Sequence, residues 1–165
     1  MGREAARQLD DAGHEVELID LAEQPLPICD GGAAYGDPAV GSIARRIAPC
    51  TGLIVAAPIY NFDVNAALKN LLELTGRTAW TGKIVGFLAA AGGQGSYMSL
   101  MPFANSLMLD FRCVIVPRFV YALGDAFEGT EITDPKIQER IAGLVKDITA
   151  FCPALEPYLE KPAQA

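Results

Sequence analysis

Three short and almost unbroken apolar runs constrain this chain most. They are Gly52-Leu53-Ile54-Val55-Ala56-Ala57-Pro58, Ile84-Val85-Gly86-Phe87-Leu88-Ala89 and Cys113-Val114-Ile115-Val116-Pro117. A strand with no polar face must be covered on both sides, as in a parallel sheet between two layers of helices. Segments with helical spacing separate the runs. Asp37-Pro38 places a capping side chain before a proline at the first helical position, and Val40, Ile43, Ala44 and Ile47 follow on one face. Asp63 is expected to cap a second helix, whose face is Val64, Ala67, Leu68, Leu71 and Leu72 and whose end is Gly76. A helical stretch follows Ser96 to about Leu109, with Pro102 marking either a kink or a late start. Thr133-Asp134-Pro135 opens the last helix, with Ile137, Ile141, Leu144, Val145 and Ile148 on one face.

The chain opens on a helix over residues 3–12, with Gly13 as its left-handed stop. Glu15 to Leu21 follows, and its front half alternates polar and apolar like a half-exposed edge strand. Residues 24–37 carry two prolines and three glycines and read as loop. The pattern predicts a doubly wound α/β protein of three layers, with parallel strands near 15–21, 52–58, 83–90 and 112–117. A length of 165 residues suits one domain, expected over 1–152, with a Pro-containing tail over 153–165.

Composition narrows the function. No apolar run reaches the ~18 residues of a spanning helix, and no leader pattern opens the chain. A net charge of −7 opposes binding to a phosphate backbone, so neither nucleic acid nor membrane is an expected partner. Cys29, Cys50, Cys113 and Cys152 are scattered without a CxxC pair, and His14 is the one histidine. That excludes the usual zinc spacings and leaves reduced thiols in a cytoplasmic protein as the plain reading. His14, just past Gly13, reads as surface, and histidine-based triad chemistry has no place here.

Parallel sheets bind ligands beyond the carboxyl ends of their strands. Three segments lie there: Pro58 to Asp63, Gly92 to Ser96 and the loop after Val116. In the first, Tyr60 and Phe62 can cover a flat ring, and Asn61 offers both donor and acceptor. An ordinary strand-to-helix turn with a capping Asp63 is the competing reading. In the second, Gly92-Gly93-Gln94-Gly95 lets backbone amides approach a ligand with no Cβ between. It lacks the GK[ST] of a P-loop. Lys69 reads as a solvated lysine or a subunit contact, and Trp80 as a packing lid or interface anchor.

The ordered runs Ala57-Pro58-Ile59-Tyr60-Asn61, Ala66-Ala67-Leu68-Lys69-Asn70, Trp80-Thr81-Gly82-Lys83 and Gly92-Gly93-Gln94-Gly95 resemble the NAD(P)H-dependent FMN reductase family. This is the flavodoxin-like group of flavin, quinone, azo and chromate reductases. The resemblance covers about His14 to Phe127. It implies FMN as cofactor and NAD(P)H as co-substrate, with a small electron-poor acceptor and a homodimer or homotetramer. It implies that Pro58, Ile59, Tyr60 and Asn61, with Phe62 beside them, line the flavin. Gly92, Gly93, Gln94 and Gly95 would then approach the pyrimidine side of its ring. No catalytic side chain is implied. The implied sheet has five strands in the order 2-1-3-4-5.

The chain departs from that pattern at its start. A first strand and the loop that cradles the FMN phosphate are missing, roughly 15–20 residues. The absent strand would be central, leaving a groove between the 15–21 and 52–58 strands, and FMN binding by the chain as written is expected to be weak. Two functions therefore stand as expectations. One is an FMN-dependent NAD(P)H oxidoreductase reducing a flavin, quinone or similar acceptor. The other is a degenerate member serving as an interaction scaffold.

Overall fold

A computed structural model describes residues 1–160. In chain order the elements are α1 (Gly2–Asp11), α2 (Pro38–Ile47), β1 (Gly52–Tyr60), β2 (Asp63–Val64), α3 (Ala66–Trp80), β3 (Ile84–Ala91), α4 (Met101–Phe111), β4 (Val114–Leu123), β5 (Phe127–Glu128), β6 (Glu131–Ile132) and α5 (Pro135–Leu155). The main sheet runs β2-β1-β3-β4. β1 pairs with β3 and β3 with β4 in parallel, as the apolar runs require. β2 is a two-residue antiparallel addition to the end of β1.

β3 is the centre of the sheet, and its residues Ile84 to Ala89 are all buried. Val85, Phe87 and Ala89 pack with residues of α2, α3 and α4. Ile84 and Leu88 pack with Ala5 of α1 and with Ile137, Ile141, Leu144 and Ile148 of α5. Gly86 lets α5 lie close, because a Cβ there would stand 2.8 Å from Leu144 Cδ1. This is the expected three-layer arrangement.

Residues 15–21 depart from expectation, because they form no strand. A strand needs a neighbour to take its N–H and C=O groups. Among the described residues, only β2 adds to the side of β1 away from β3, at Ile59 and Tyr60. The segment is instead tied by side chains. Glu17 pairs with Arg46 of α2, Asp20 faces Arg3 of α1, and Ile19 and Leu21 pack on the core.

Smaller expectations are also corrected or resolved. Asp63 does not cap α3; it lies in β2, and Asn65 occupies the N-cap without a side-chain bond. Trp80 is no loop anchor, since it is 2% exposed at the end of α3, beyond a break at Gly76 (φ 53°). Its Nε1 donates to Thr75 Oγ1 at 2.8 Å, and its ring meets Phe103 edge-on at 6.5 Å. Pro102 marks a late start, because α4 begins at Met101 after a 3₁₀ stretch over Gln94–Leu100. β4 continues past Pro117 to Leu123. Proline is tolerated there because β4 is an edge strand, and the register shifts opposite Gly86. Asp37 and Asp134 cap α2 and α5 as their sequence signals predict, accepting from the N–H of Ala39 and Lys136. Of the expected tail, residues 153–155 continue α5 and Glu156–Tyr158 form one 3₁₀ turn. Residues 161–165 of that tail lie outside the described residues.

Lys83, buried just before β3, donates from its Nζ to the Ala48 carbonyl at 2.6 Å, at the C-terminal end of α2. Burial lowers the lysine pKa, and the nearby Cys50 and Cys113 thiols oppose that shift. The unfolded chain therefore binds more protons between the folded and unfolded lysine pKa values. The cost of burying the cation is fully present below the folded value and is relieved as pH rises through it toward the unfolded value. Urea unfolding of wild type and Lys83→Met should show wild type gaining relative stability as pH rises toward the unfolded lysine value of about 10.4. A difference independent of pH would contradict this.

Candidate functional site

β1 and β3 run in register from Gly52↔Ile84 to Pro58↔Ala90, so their carboxyl ends finish side by side. The two candidate loops leave the sheet there. β1 carries Pro58, Ile59 and Tyr60 as its last residues, and then the chain reverses through Asn61 and Phe62 into Asp63. Both turn residues have positive φ, 52° and 62°. That is the signature of the mirror-image two-residue hairpin turn, whose twist suits the strands it joins. Asn enters this region readily, whereas an aromatic residue there costs on the order of 1–2 kcal/mol. Alternation along β1 turns Ile59 into the core and Tyr60 outward; Tyr60 and Phe62 are 62% and 69% exposed. Of the residues expected to line a ring, Ile59 therefore offers its backbone only. Pro58 is half-buried, and Tyr60, Asn61 and Phe62 face solvent.

The second loop begins where β3 ends at Ala91. Gly92 and Gly93 are exposed, and Gln94 and Gly95 open the 3₁₀ stretch. Gly93 is extended (φ −161°, ψ 161°), a conformation open to any residue. A Cβ added at Gly92 or Gly93 meets nothing within 4 Å, and at Gly95 only Phe62 Cε1, at 3.9 Å. The fold does not need these glycines for its own backbone or packing. Their missing side chains leave an open shelf against the Tyr60–Phe62 turn. The two loops thus adjoin through Phe62 and Gly95.

Two aromatic residues not singled out from the sequence complete the shelf. The Tyr121 hydroxyl, near the end of β4, donates to the Gly93 carbonyl. The Tyr97 ring lies edge-on to Tyr121 at 5.5 Å. Among the described residues, Tyr121 makes the one side-chain hydrogen bond onto Gly92–Ser96. The sequence signal was the third strand end, but reading Pro117 as the stop placed that end six residues early.

Other concavities offer less. An open groove of about 580 Å³ lies between α3 and α4, lined by Lys69, Glu73, Arg77 and Asp110 among others. Its charges already pair with each other, Lys69 with Glu73 at 2.8 Å and Arg77 with Asp110. A second groove of about 340 Å³ lies between residues 21–28 and the start of α3. Neither touches the glycine loop. Among the described residues no group of three or more His, Cys, Asp or Glu side chains could hold a metal. No helix there is long and apolar enough to cross a membrane. All four cysteines are unpaired, and burial pushes the Cys113 thiol up to about 11.

An open shelf with backbone amides, aromatic edges and the amide side chains of Asn61 and Gln94 has donors, acceptors and apolar surface of the kind a flavin ring needs. The space that Cβ atoms would fill at Gly92 and Gly93 is open, so the backbone there is accessible to a flat ring.

Comparison with known proteins agrees with that chemistry. The family model described as NADPH-dependent FMN reductase matches residues 1–128. An NAD(P)H-dependent FAD/FMN reductase of Geobacillus thermodenitrificans is 30% identical over 137 residues, covering 81% of this chain and 74% of the relative. An NADPH:quinone oxidoreductase of Arabidopsis thaliana is 26% identical over 152 residues, covering 84% and 75%. A flavodoxin from the domain Archaea superposes with a TM-score of 0.64 at 10% identity, covering 92% of this chain and 87% of that one; it supports the fold alone. With its parallel sheet and the two loops at one sheet edge, this chain belongs to the NADPH-dependent FMN reductase family, and it is an NAD(P)H-dependent oxidoreductase that uses FMN.

Proposed function

We propose that the isoalloxazine ring is held between the Tyr60–Phe62 turn and the Gly92–Gly95 loop, and that the acceptor reduced there is a quinone or another flavin. The open glycine shelf carries this reading, because nothing inside the fold explains three glycines at positions 92, 93 and 95. FMN, when bound, supplies the redox chemistry, taking hydride from NAD(P)H and passing reducing equivalents to the acceptor. The chain's own residues bind and orient. Asn61 presents an amide able to donate and accept at the ring edge, worth ~0.5–1.5 kcal/mol. Backbone amides at Gly93, Gln94 and Gly95 approach without an intervening Cβ. Tyr121 holds the carbonyl of Gly93 and so fixes the loop's position. Pro58 and Tyr60 bound the shelf on the β1 side and keep water from the ring. No side chain acts as acid or base, in keeping with the lack of histidine or paired carboxylates on either loop.

The names of the relatives favour the enzyme over the scaffold reading. We place the protein in the cytoplasm, where its four free thiols stay reduced. Self-association as a dimer or tetramer would use the exposed flank of α3 with Lys69 and Glu73 and the neighbouring Leu109 of α4, not the buried Trp80.

The test is NADPH oxidation by purified protein supplied with FMN, with and without menadione, a naphthoquinone. Menadione-stimulated turnover is expected, and its absence with bound FMN would remove the quinone reading. Light scattering on the same sample reads the assembly, and a monomer mass at micromolar concentration would contradict the oligomer.

A further inference from the structure

Phe62 breaks a local rule without an evident return inside the fold. Its φ of 62° is one that glycine or asparagine adopts more readily than an aromatic residue. Its ring is 69% exposed and, among the described residues, stacks on no other aromatic ring. Core packing therefore does not explain it. Residues that break a local rule concentrate at functional sites. The ring stands at the mouth of the shelf, with Cε1 3.9 Å from the position of a Cβ on Gly95. It is more exposed than the other aromatic residues of the two loops, Tyr60 and Tyr97.

We propose that Phe62 is a specificity-determining residue whose ring forms the outer stacking surface for the second reactant, an uncharged planar acceptor. This rests on the flavin reading above. Stacking needs an exposed ring with a free face, which Phe62 has. The chemistry favours an uncharged molecule. Residues 58–65 and 92–98 carry no Lys or Arg to meet a phosphate, and the net charge of −7 repels anions. Nicotinamide nucleotides carry such phosphates, so the Phe62 surface suits the acceptor better than the reductant.

The experiment compares FMN-loaded wild type, Phe62→Gly and Phe62→Trp with menadione and with ferricyanide, a non-planar anion. The readout is the ratio of kcat/KM for menadione to that for ferricyanide. Phe62→Gly should lower the ratio about tenfold, and Phe62→Trp should hold it within about twofold. Unfolding of the FMN-free protein should meanwhile move up by a few degrees in Phe62→Gly, because glycine relieves the positive φ. A ratio unchanged in Phe62→Gly would overturn the proposal. So would a tenfold loss of FMN affinity with the ratio held, which would confine Phe62 to holding the flavin, or a shift confined to the KM for NADPH. If wild type itself holds no FMN, the flavin reading fails and the proposal falls with it, an outcome visible before any variant is made.

Discussion

Replacing Gly93 with valine should weaken FMN binding about a hundredfold while leaving the FMN-free protein as stable as wild type. The two halves have separate causes. Gly93 sits at φ −161° and ψ 161°, which suits a β-branched residue, and a Cβ there meets no atom within 4 Å. A substitution touching nothing changes stability by about 0.5 kcal/mol or less. The valine methyl groups would nevertheless occupy the shelf, and forcing extra carbon into a close contact costs ~1–3 kcal/mol. At the upper end of that range the loss is about a hundredfold. FMN titration followed by flavin fluorescence, paired with thermal unfolding of the FMN-free protein, checks both halves. Undiminished affinity would move the ring away from this loop. A large loss of stability would mean that the fold needs the glycine after all.

Trp80→Ala should be the most damaging single change outside the site. Trp80 is 2% exposed, donates to Thr75 Oγ1 and lies edge-on to Phe103, which itself meets Phe87 at 6.2 Å. Truncating a buried tryptophan costs about 3–5 kcal/mol in lost burial and cavity. In a chain of this length that lowers the midpoint of thermal unfolding by about 10 °C or more. An interface anchor would behave differently. Its loss would reduce the assembled mass with a thermal shift of only about 2 °C, and that result would restore the surface role.

The parallel strands were legible because a run with no polar face can be stable only between two covering layers, a local pattern with one global solution. The strand expected at 15–21 failed for the opposite reason. Alternation in Glu15 to Leu21 states which face is apolar but not whether a partner edge exists, and pairing is a property of the whole sheet. Trp80 does pack, but the sequence places it in a turn because Thr78, Thr81 and Gly82 surround it. The helical turn after Gly76 carries the ring inward, and only the tertiary packing shows that. At the site, both loops were visible from their place after buried strands. The tight turn was not, since Asn61-Phe62 lacks the glycine that usually announces a mirror-image hairpin. That turn also displaced Asp63 from the helix cap. Tyr121 was hidden by Pro117, whose edge-strand position makes it harmless to the sheet.

A crystal structure of the protein with FMN tests the central claim most directly. The account predicts the isoalloxazine ring in van der Waals contact with Gly93 and Tyr60, its edge within hydrogen-bonding distance of Asn61. A ring seated instead in the groove between α3 and α4, beside Lys69 and Arg77, would contradict it.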